Sequence, residues 1–431
     1  MHAGSIPNLA VAESAIPAPD RRFWWLPALV AVMVLCGQAY LVVGHDFATI
    51  VETPFLPYCL MGAFAIHFWT GPSHAERWCT LALAAAGTVC FVLFSQRFHF
   101  NWPCSIACGS FFGLASLAVL AVQTVRLRGP AQAEKLEALV AGSVFGYSAL
   151  FIAFILNLTT RLHPQTYDLY LYTADAGFAL PLCAWVGRFV GGLPVLLRSC
   201  SIVYESLPLV VSLLYAYQRS GKRPLPIRVL PAFLGGGAAA YVLYNILPAT
   251  GPRYIFGAAF PERLPAAELA GLHLVSVGDV ARNAVPSMHL ACALLILWAC
   301  RPLGRSVRVC AALFLMLTVL ATVGFGEHYV VDLVTAVPYA LALAGLCAPA
   351  GRHLNLAAIA TGVCLTAGWV FMLRFGTPLF HSVAFTWMAS LGTVATCLFA
   401  YRNISRLSVG KPRACRTGDK IRNGRAVAGA T

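Results

Sequence analysis

Apolar runs of about 20 residues recur from one end of the chain to the other, each long enough to cross a hydrocarbon core of about 30 Å as an α-helix. They lie at about 23–43, 54–70, 79–95, 105–125, 138–158, 199–218, 227–248, 287–300, 308–324, 329–348, 354–373 and 380–401. A membrane β-barrel would show alternating segments of about ten residues instead. Of 431 residues, 59% are hydrophobic and 11% charged, against about 25% charged in a soluble domain. An ordinary soluble enzyme, a disordered chain, collagen and a coiled coil are all excluded. The pattern predicts an all-α, polytopic integral membrane bundle of about twelve transmembrane helices.

One stretch breaks the pattern. Residues 174–197 are apolar but carry Asp175, Arg188, Gly191, Gly192 and Pro194. They read as an interfacial or re-entrant piece rather than a span.

The net charge of +14 would suggest nucleic acid in a soluble protein. Here the charge sits in loops and in the tail, so it reports topology, and no nucleic-acid partner is expected. With twelve spans and a cytoplasmic N-terminus, 22 of the Lys and Arg residues face the cytoplasm and 8 face away. That imbalance predicts both termini inside, in a multi-pass protein of the inner or plasma membrane. Counting 174–197 as a span would put the charges of 126–135 outside. Residues 1–22 read as a disordered cytoplasmic N-terminus, and 23–160 as an N-terminal extension of about five transmembrane helices. Residues 354–401 read as two C-terminal helices, and 402–431 as a basic cytoplasmic tail. The 15 Cys show no CxxC and no Cys/His metal spacing. Cys104 and Cys108 are the closest pair near a segment end, but helical i,i+4 spacing suits a disulfide poorly.

Chemistry-bearing residues gather in two outer loops. The first is the largest extracytoplasmic loop, 249–286, which opens Gly251-Pro252-Arg253-Tyr254 and leads into Pro286-Ser287-Met288-His289. Proline favours a helix's first turn, and the N–H groups that follow make an anion site. Ser287 adds a hydroxyl donor there, and His289 is placed to donate to a phosphate oxygen or protonate a leaving group. The second loop reads Gly326-Glu327-His328-Tyr329-Val330-Val331-Asp332. The i,i+4 spacing predicts His328 and Asp332 on one helix face. A carboxylate there fixes the tautomer of a nucleophilic or general-base histidine. One span down and one span up separate the two histidines, so both return to the outer face. Arg253, after its Gly-Pro turn, is a candidate bidentate phosphate clamp. A lone histidine near a membrane end is more often structural, and H-x-x-x-D alone is a weak signal. Both motifs, in order, at one face and after an Arg-bearing loop carry the phosphoryl-site reading.

Those segments resemble a family. Pro286-Ser287-Met288-His289 and His328-Tyr329-Val330-Val331-Asp332 are similar to the second and third signature motifs of the type-2 phosphatidic-acid phosphatase superfamily. The wording from Asn283 to His289 and from Gly326 to Asp332 is closer to the branch of inositol phosphorylceramide synthases and their bacterial relatives. Gly251-Pro252-Arg253-Tyr254 resembles that branch's upstream Pro/Arg loop. The resemblance covers about 165–348 and implies a six-helix catalytic membrane core there. The superfamily's first motif has no clear counterpart, and Ala321 and Thr322 stand where its third motif usually opens with Ser-Arg. That departure favours the transferase-like branch.

The resemblance implies roles. His328 attacks phosphorus and becomes a phosphohistidine, Asp332 orients it, and His289 protonates the departing oxygen and then deprotonates the acceptor. Ser287 and Arg253 hold phosphate oxygens, with Arg282 as a further phosphate-binding candidate. The expected substrate is a membrane lipid phosphate, and the acceptor is an alcohol or water. No cofactor is implied and no metal, since the sequence has no carboxylate cluster suited to Mg²⁺. Glu205 and Asp175 are intramembrane or near-membrane acids, read as acceptor-site candidates or as structural groups, the latter including an Asp175–Arg188 pair. The expected activity is an inositolphosphotransferase-like phosphotransferase, with a lipid phosphate phosphatase as the alternative. A twelve-span transporter is the competing class, but the candidate residues cluster in one half and no repeat is seen.

Overall fold

The computed structural model describes residues 25–42, 55–94, 102–221, 224–267, 271–348 and 352–409. The expected disordered N-terminus and most of the basic tail lie outside these residues. Sixteen helices are described. The first five are α1 (Leu26–Val42), α2 (Leu56–Trp69), α3 (His74–Phe94), α4 (Trp102–Arg126) and α5 (Gly129–Leu162). After them come α6 (Asp168–Ala176), α7 (Leu182–Gly191), α8 (Pro194–Glu205), α9 (Leu207–Arg219), α10 (Val229–Ile246) and the short α11 (Pro252–Phe256). The series closes with α12 (Met288–Ala299), α13 (Arg305–Gly324), α14 (Val330–Cys347), α15 (Arg352–Phe375) and α16 (Val383–Val409). The protein is all-α apart from a two-stranded antiparallel ribbon, β1 (Gln165–Thr166) and β2 (Val275–Ser276), with Gln165 opposite Ser276.

Every predicted run contains a helix, but the twelve are not equal. Among the described residues eight helices are long and apolar enough to cross a membrane, or nine if α7 and α8 form one broken span. The stretch 199–218 is not one helix. It breaks at Ser206, where Pro208 opens α9 without an N–H to continue the ladder. Residues 56–69 and 288–299 are shorter apolar helices, and the 12 residues of α12 rise only about 18 Å. The odd segment after residue 174 is not a straight span either. Helices α7 and α8 are bent by 108° at Gly192 and Leu193. Cys104 and Cys108 are free thiols.

Helix α14 lies at the centre of the bundle. In its span 83% of residues are buried, against 11–44% in the other seven long spans. Tyr244 of α10, Leu290, Leu294 and Trp298 of α12, and Tyr339 and Leu343 of α14 pack into one core. Helices α15 and α16 close over α14, and α7 and α8 both lie against α13. In the N-terminal extension α2 packs on α4, α5 and α9. The ribbon pins the start of the core to the loop between α10 and α12. That loop and the one between α13 and α14 meet at the N-termini of α12 and α14.

Candidate active site

The loop between α10 and α12 and the loop between α13 and α14 interlock backbone to backbone, and their glycines make this possible. Gly251 sits at φ 137°, and a Cβ there would come 2.5 Å from the carbonyl oxygen of Glu327. Gly326 sits at φ 69°, and a Cβ there would come 2.7 Å from Cβ of Arg253. A side chain at either position is strained by φ and blocked by its neighbour. The contact is sealed by Arg253 N–H donating to the Gly326 carbonyl at 3.1 Å.

His328 therefore emerges from a fixed turn, and it is buried. Its Nδ1 lies 2.9 Å from the Ala284 carbonyl oxygen. A carbonyl only accepts, so Nδ1 carries the hydrogen and Nε2 keeps its lone pair. Burial is the main cause that pushes the imidazole down to about 4, opposed by Glu327 and the Ala284 bond. The ring is neutral at pH 7. Because the neutral form persists through mild acid, His328 itself is expected to contribute no acid limb to kcat/KM between pH 7 and about 5, and to contribute one as protonation near pH 4 removes the lone pair. A pH–rate profile of a His289→Ala variant, free of that residue's own titration, checks this, and a limb near 6.5 would show an ordinary imidazole.

The i,i+4 reasoning for Asp332 needs correction. Helix α14 starts at Val330 with Tyr329 as its N-cap, so His328 lies outside the helix. Asp332 Oδ2 accepts the Tyr329 N–H at 2.8 Å and stands 3.5 Å from His328 Nδ1. The direct partner of the imidazole is the Ala284 carbonyl, and Asp332 adds a nearby carboxylate whose Oδ1 has no hydrogen-bond partner.

Two further buried aspartates hold the turn. Asp175 accepts from Val330 N–H and Val331 N–H, both at 2.9 Å, and from the Cys183 thiol at 3.0 Å. It satisfies the first N–H groups of α14 from outside the helix. This cap stands in place of the Asp175–Arg188 pair, one of the structural alternatives. Burial pushes its carboxyl up to about 6, against the pull of these donors. Asp168, at the start of α6, accepts from Thr250 N–H at 3.0 Å, Gly251 N–H at 2.9 Å and Tyr329 O–H at 3.1 Å. It joins α6 to both outer loops.

His289 is the second residue of α12. The helix begins at Met288, so Pro286 lies before the cap rather than in the first turn. Ser287 is the N-cap, its oxygen accepting from Leu290 N–H at 3.5 Å, which leaves its O–H free to donate. Ser287 N–H reaches the Asp332 carbonyl at 3.5 Å, so the two helix starts touch. His289 lies within electrostatic reach of His328.

Arg253 pairs with Glu327 at 3.1 Å, and Tyr254 O–H donates to the same carboxylate at 2.8 Å. The arginine thus stands beside the residue preceding His328, with its side chain largely exposed. Arg282 does not join it. Its guanidinium donates to the carbonyls of His163, Gly278 and Val277 at 2.8–2.9 Å, and to that of Val280. Four of its N–H groups are committed to main-chain carbonyls, three in its own loop and one at the end of α5, which makes it a structural clamp rather than a phosphate ligand. Arg282→Met is expected to cost at least about 3 kcal/mol of stability by orphaning buried carbonyls. Thermal unfolding in detergent checks it. An unchanged melting temperature with weakened substrate binding would return Arg282 to the phosphate. Glu205 ends α8 beside Tyr204 and faces Tyr58 electrostatically rather than the histidines.

The sequence reading missed Asp168, Tyr204, Glu327 and the Ala284 carbonyl. For Asp168 a signal existed: among only 16 acidic residues in so apolar a chain, each one is informative. For a main-chain carbonyl no side-chain pattern could have served.

Residues 169–346 match the family model of the PAP2 superfamily. The match runs from α6 into α14 and takes in both interlocked loops and both histidines. It supports, for this segment, the membrane phosphatase/phosphotransferase class to which the two histidine motifs point. No curated protein and no solved structure matches the chain.

Proposed function

We propose that the chain is an integral membrane phosphotransferase that acts on a lipid-linked phosphoester through a phosphohistidine and passes the phosphoryl or phospho-headgroup to an alcohol. The observation that carries this reading is the neutral His328 imidazole, held at Nδ1 by Ala284 so that Nε2 is the nucleophilic atom. Attack on phosphorus makes the Nε2–P bond and breaks the bond to the leaving oxygen, which takes its proton from His289. His289, now neutral, removes the proton of the acceptor hydroxyl, whose oxygen displaces Nε2. Ser287 O–H and the N–H groups opening α12 supply donors for phosphate oxygens, and Arg253 supplies a guanidinium if phosphate displaces Glu327. An alcohol acceptor fits the wording of the two loops, which resembles the inositolphosphotransferase-like branch. The charge distribution supports an extracytoplasmic site with both termini cytoplasmic.

A rapid quench with ³²P-labelled lipid phosphate, followed by alkaline digestion, tests the mechanism. Acid-labile, alkali-stable label on the wild type is expected. Turnover without such label would favour direct attack of acceptor on donor, with His328 as general base. Phosphate released at the same rate with and without an alcohol acceptor would make the protein a phosphatase.

A further inference from the structure

His289 has to change protonation state twice in each cycle, yet among the described residues no hydrogen bond orients its ring. Aromatic packing does so instead. Tyr204, the penultimate residue of α8, lies flat on the imidazole, with centroids 3.8 Å apart and planes 14° from parallel. Phe55, the residue before α2, covers it at 5.7 Å and 40°, and meets Tyr204 at 6.0 Å. Phe325, on the chain leading to His328, stands edge-on to Tyr204 at 5.9 Å. Two aromatic neighbours fix the plane of the ring, and their π faces favour the imidazolium that forms when His289 takes up a proton.

The other end of Tyr204 is as informative. Its hydroxyl lies within electrostatic reach of Glu327, Arg253 and Tyr254, the cluster beside His328. Among the described residues no hydrogen bond reaches that hydroxyl, and both Tyr204 and His289 are only half-buried. A phenol with an unused donor, stacked on the acid–base histidine and within electrostatic reach of the Arg253 guanidinium, is placed to donate to a phosphate oxygen.

We propose that Tyr204 has two roles at this site: its hydroxyl donates to an oxygen of the substrate phosphoryl group, and its ring positions His289. The second role rests on His289 acting as the acid–base group. Phe55 completes the stack from the N-terminal extension, outside the family-matched segment, so the extension contributes a wall of the active site.

The test uses the full-length protein in detergent, with orthovanadate as a phosphoryl probe and turnover of micellar dioctanoyl phosphatidic acid and dioctanoyl phosphatidylinositol. Tyr204→Phe keeps the stack and removes the donor. It should weaken vanadate binding about tenfold and raise KM similarly, with kcat within about threefold of wild type. Tyr204→Leu should add a fall in kcat of at least about tenfold. That added loss should vanish in a His289→Ala background, because the ring acts through His289. Wild-type vanadate affinity in Tyr204→Phe would overturn the donor role. Wild-type kcat in Tyr204→Leu, or an equal loss with His289 absent, would overturn the positioning role. A wild-type protein that binds no vanadate would defeat the phosphoryl-site reading itself. If Tyr204→Leu fails to fold, Tyr204→Phe still decides the donor role, and Phe55→Leu decides the stack.

Discussion

His328→Ala is expected to abolish phosphoenzyme labelling and to lower turnover by at least about 10⁴-fold, while binding of the lipid phosphate changes little. No other side chain near the site combines a neutral lone pair with a fixed tautomer. Among the described residues His289 has no partner that would hold one of its nitrogens as donor. Cys183, whose thiol lies 4.0 Å from the His328 carbonyl oxygen, is buried and donates to Asp175. The measurement is quenched label on wild type and variant, together with equilibrium binding of the same lipid. Residual label on the alanine variant would move the nucleophile elsewhere. Lost binding with normal label per bound lipid would make His328 a ligand rather than a nucleophile.

The second large effect is structural. Asp168→Ala should destabilise the outer loops by about 3 kcal/mol or more, because it leaves Thr250 N–H, Gly251 N–H and Tyr329 O–H buried without their acceptor. Activity should fall with it, since Tyr329 adjoins His328 and Gly251 backs the turn that presents it. Asp168→Asn keeps one acceptor oxygen and should fall between. Thermal unfolding and amide exchange at Thr250 and Gly251 decide the matter. Wild-type protection at both amides in Asp168→Ala would show that the loops hold without the carboxylate.

Much of this architecture was legible in the sequence because membrane spans are written in long apolar runs, and the structure places a helix in each. Helix ends were less legible. The break at Ser206 and the start of α12 at Met288 depend on where a proline falls within a turn, and hydropathy averages over that. The meeting of the two loops was legible in the motifs that carry His289, His328 and Arg253, because those motifs lie at corresponding ends of successive helices. The site was illegible where the partner is main chain. The i,i+4 rule predicted Asp332 under His328, but it assumes helix at 328, and the helix starts two residues later. Arg282 looked like a phosphate ligand because the third motif lacks its usual arginine here and the neighbouring loop offers a substitute. Its fate was set by carbonyls from the end of α5 and from its own loop.

The bond from His328 to Ala284 crosses 44 residues of chain. Between the two lie α12 and α13, a complete passage through the bundle and back. Before α14 has docked against the earlier loop, residue 328 is an ordinary imidazole, free to exchange its proton and of no fixed tautomer. On the proposed mechanism, the reactive atom comes into being only when synthesis and insertion have passed residue 328 and the two loops have closed on each other. A half-inserted chain, or one cut between α12 and α14 and allowed to drift apart, would carry every motif and be chemically silent. Reactivity in this molecule is a property of completed assembly, so a histidine-directed reagent that discriminates neutral, tautomer-locked imidazole would count finished molecules in a membrane without assaying turnover.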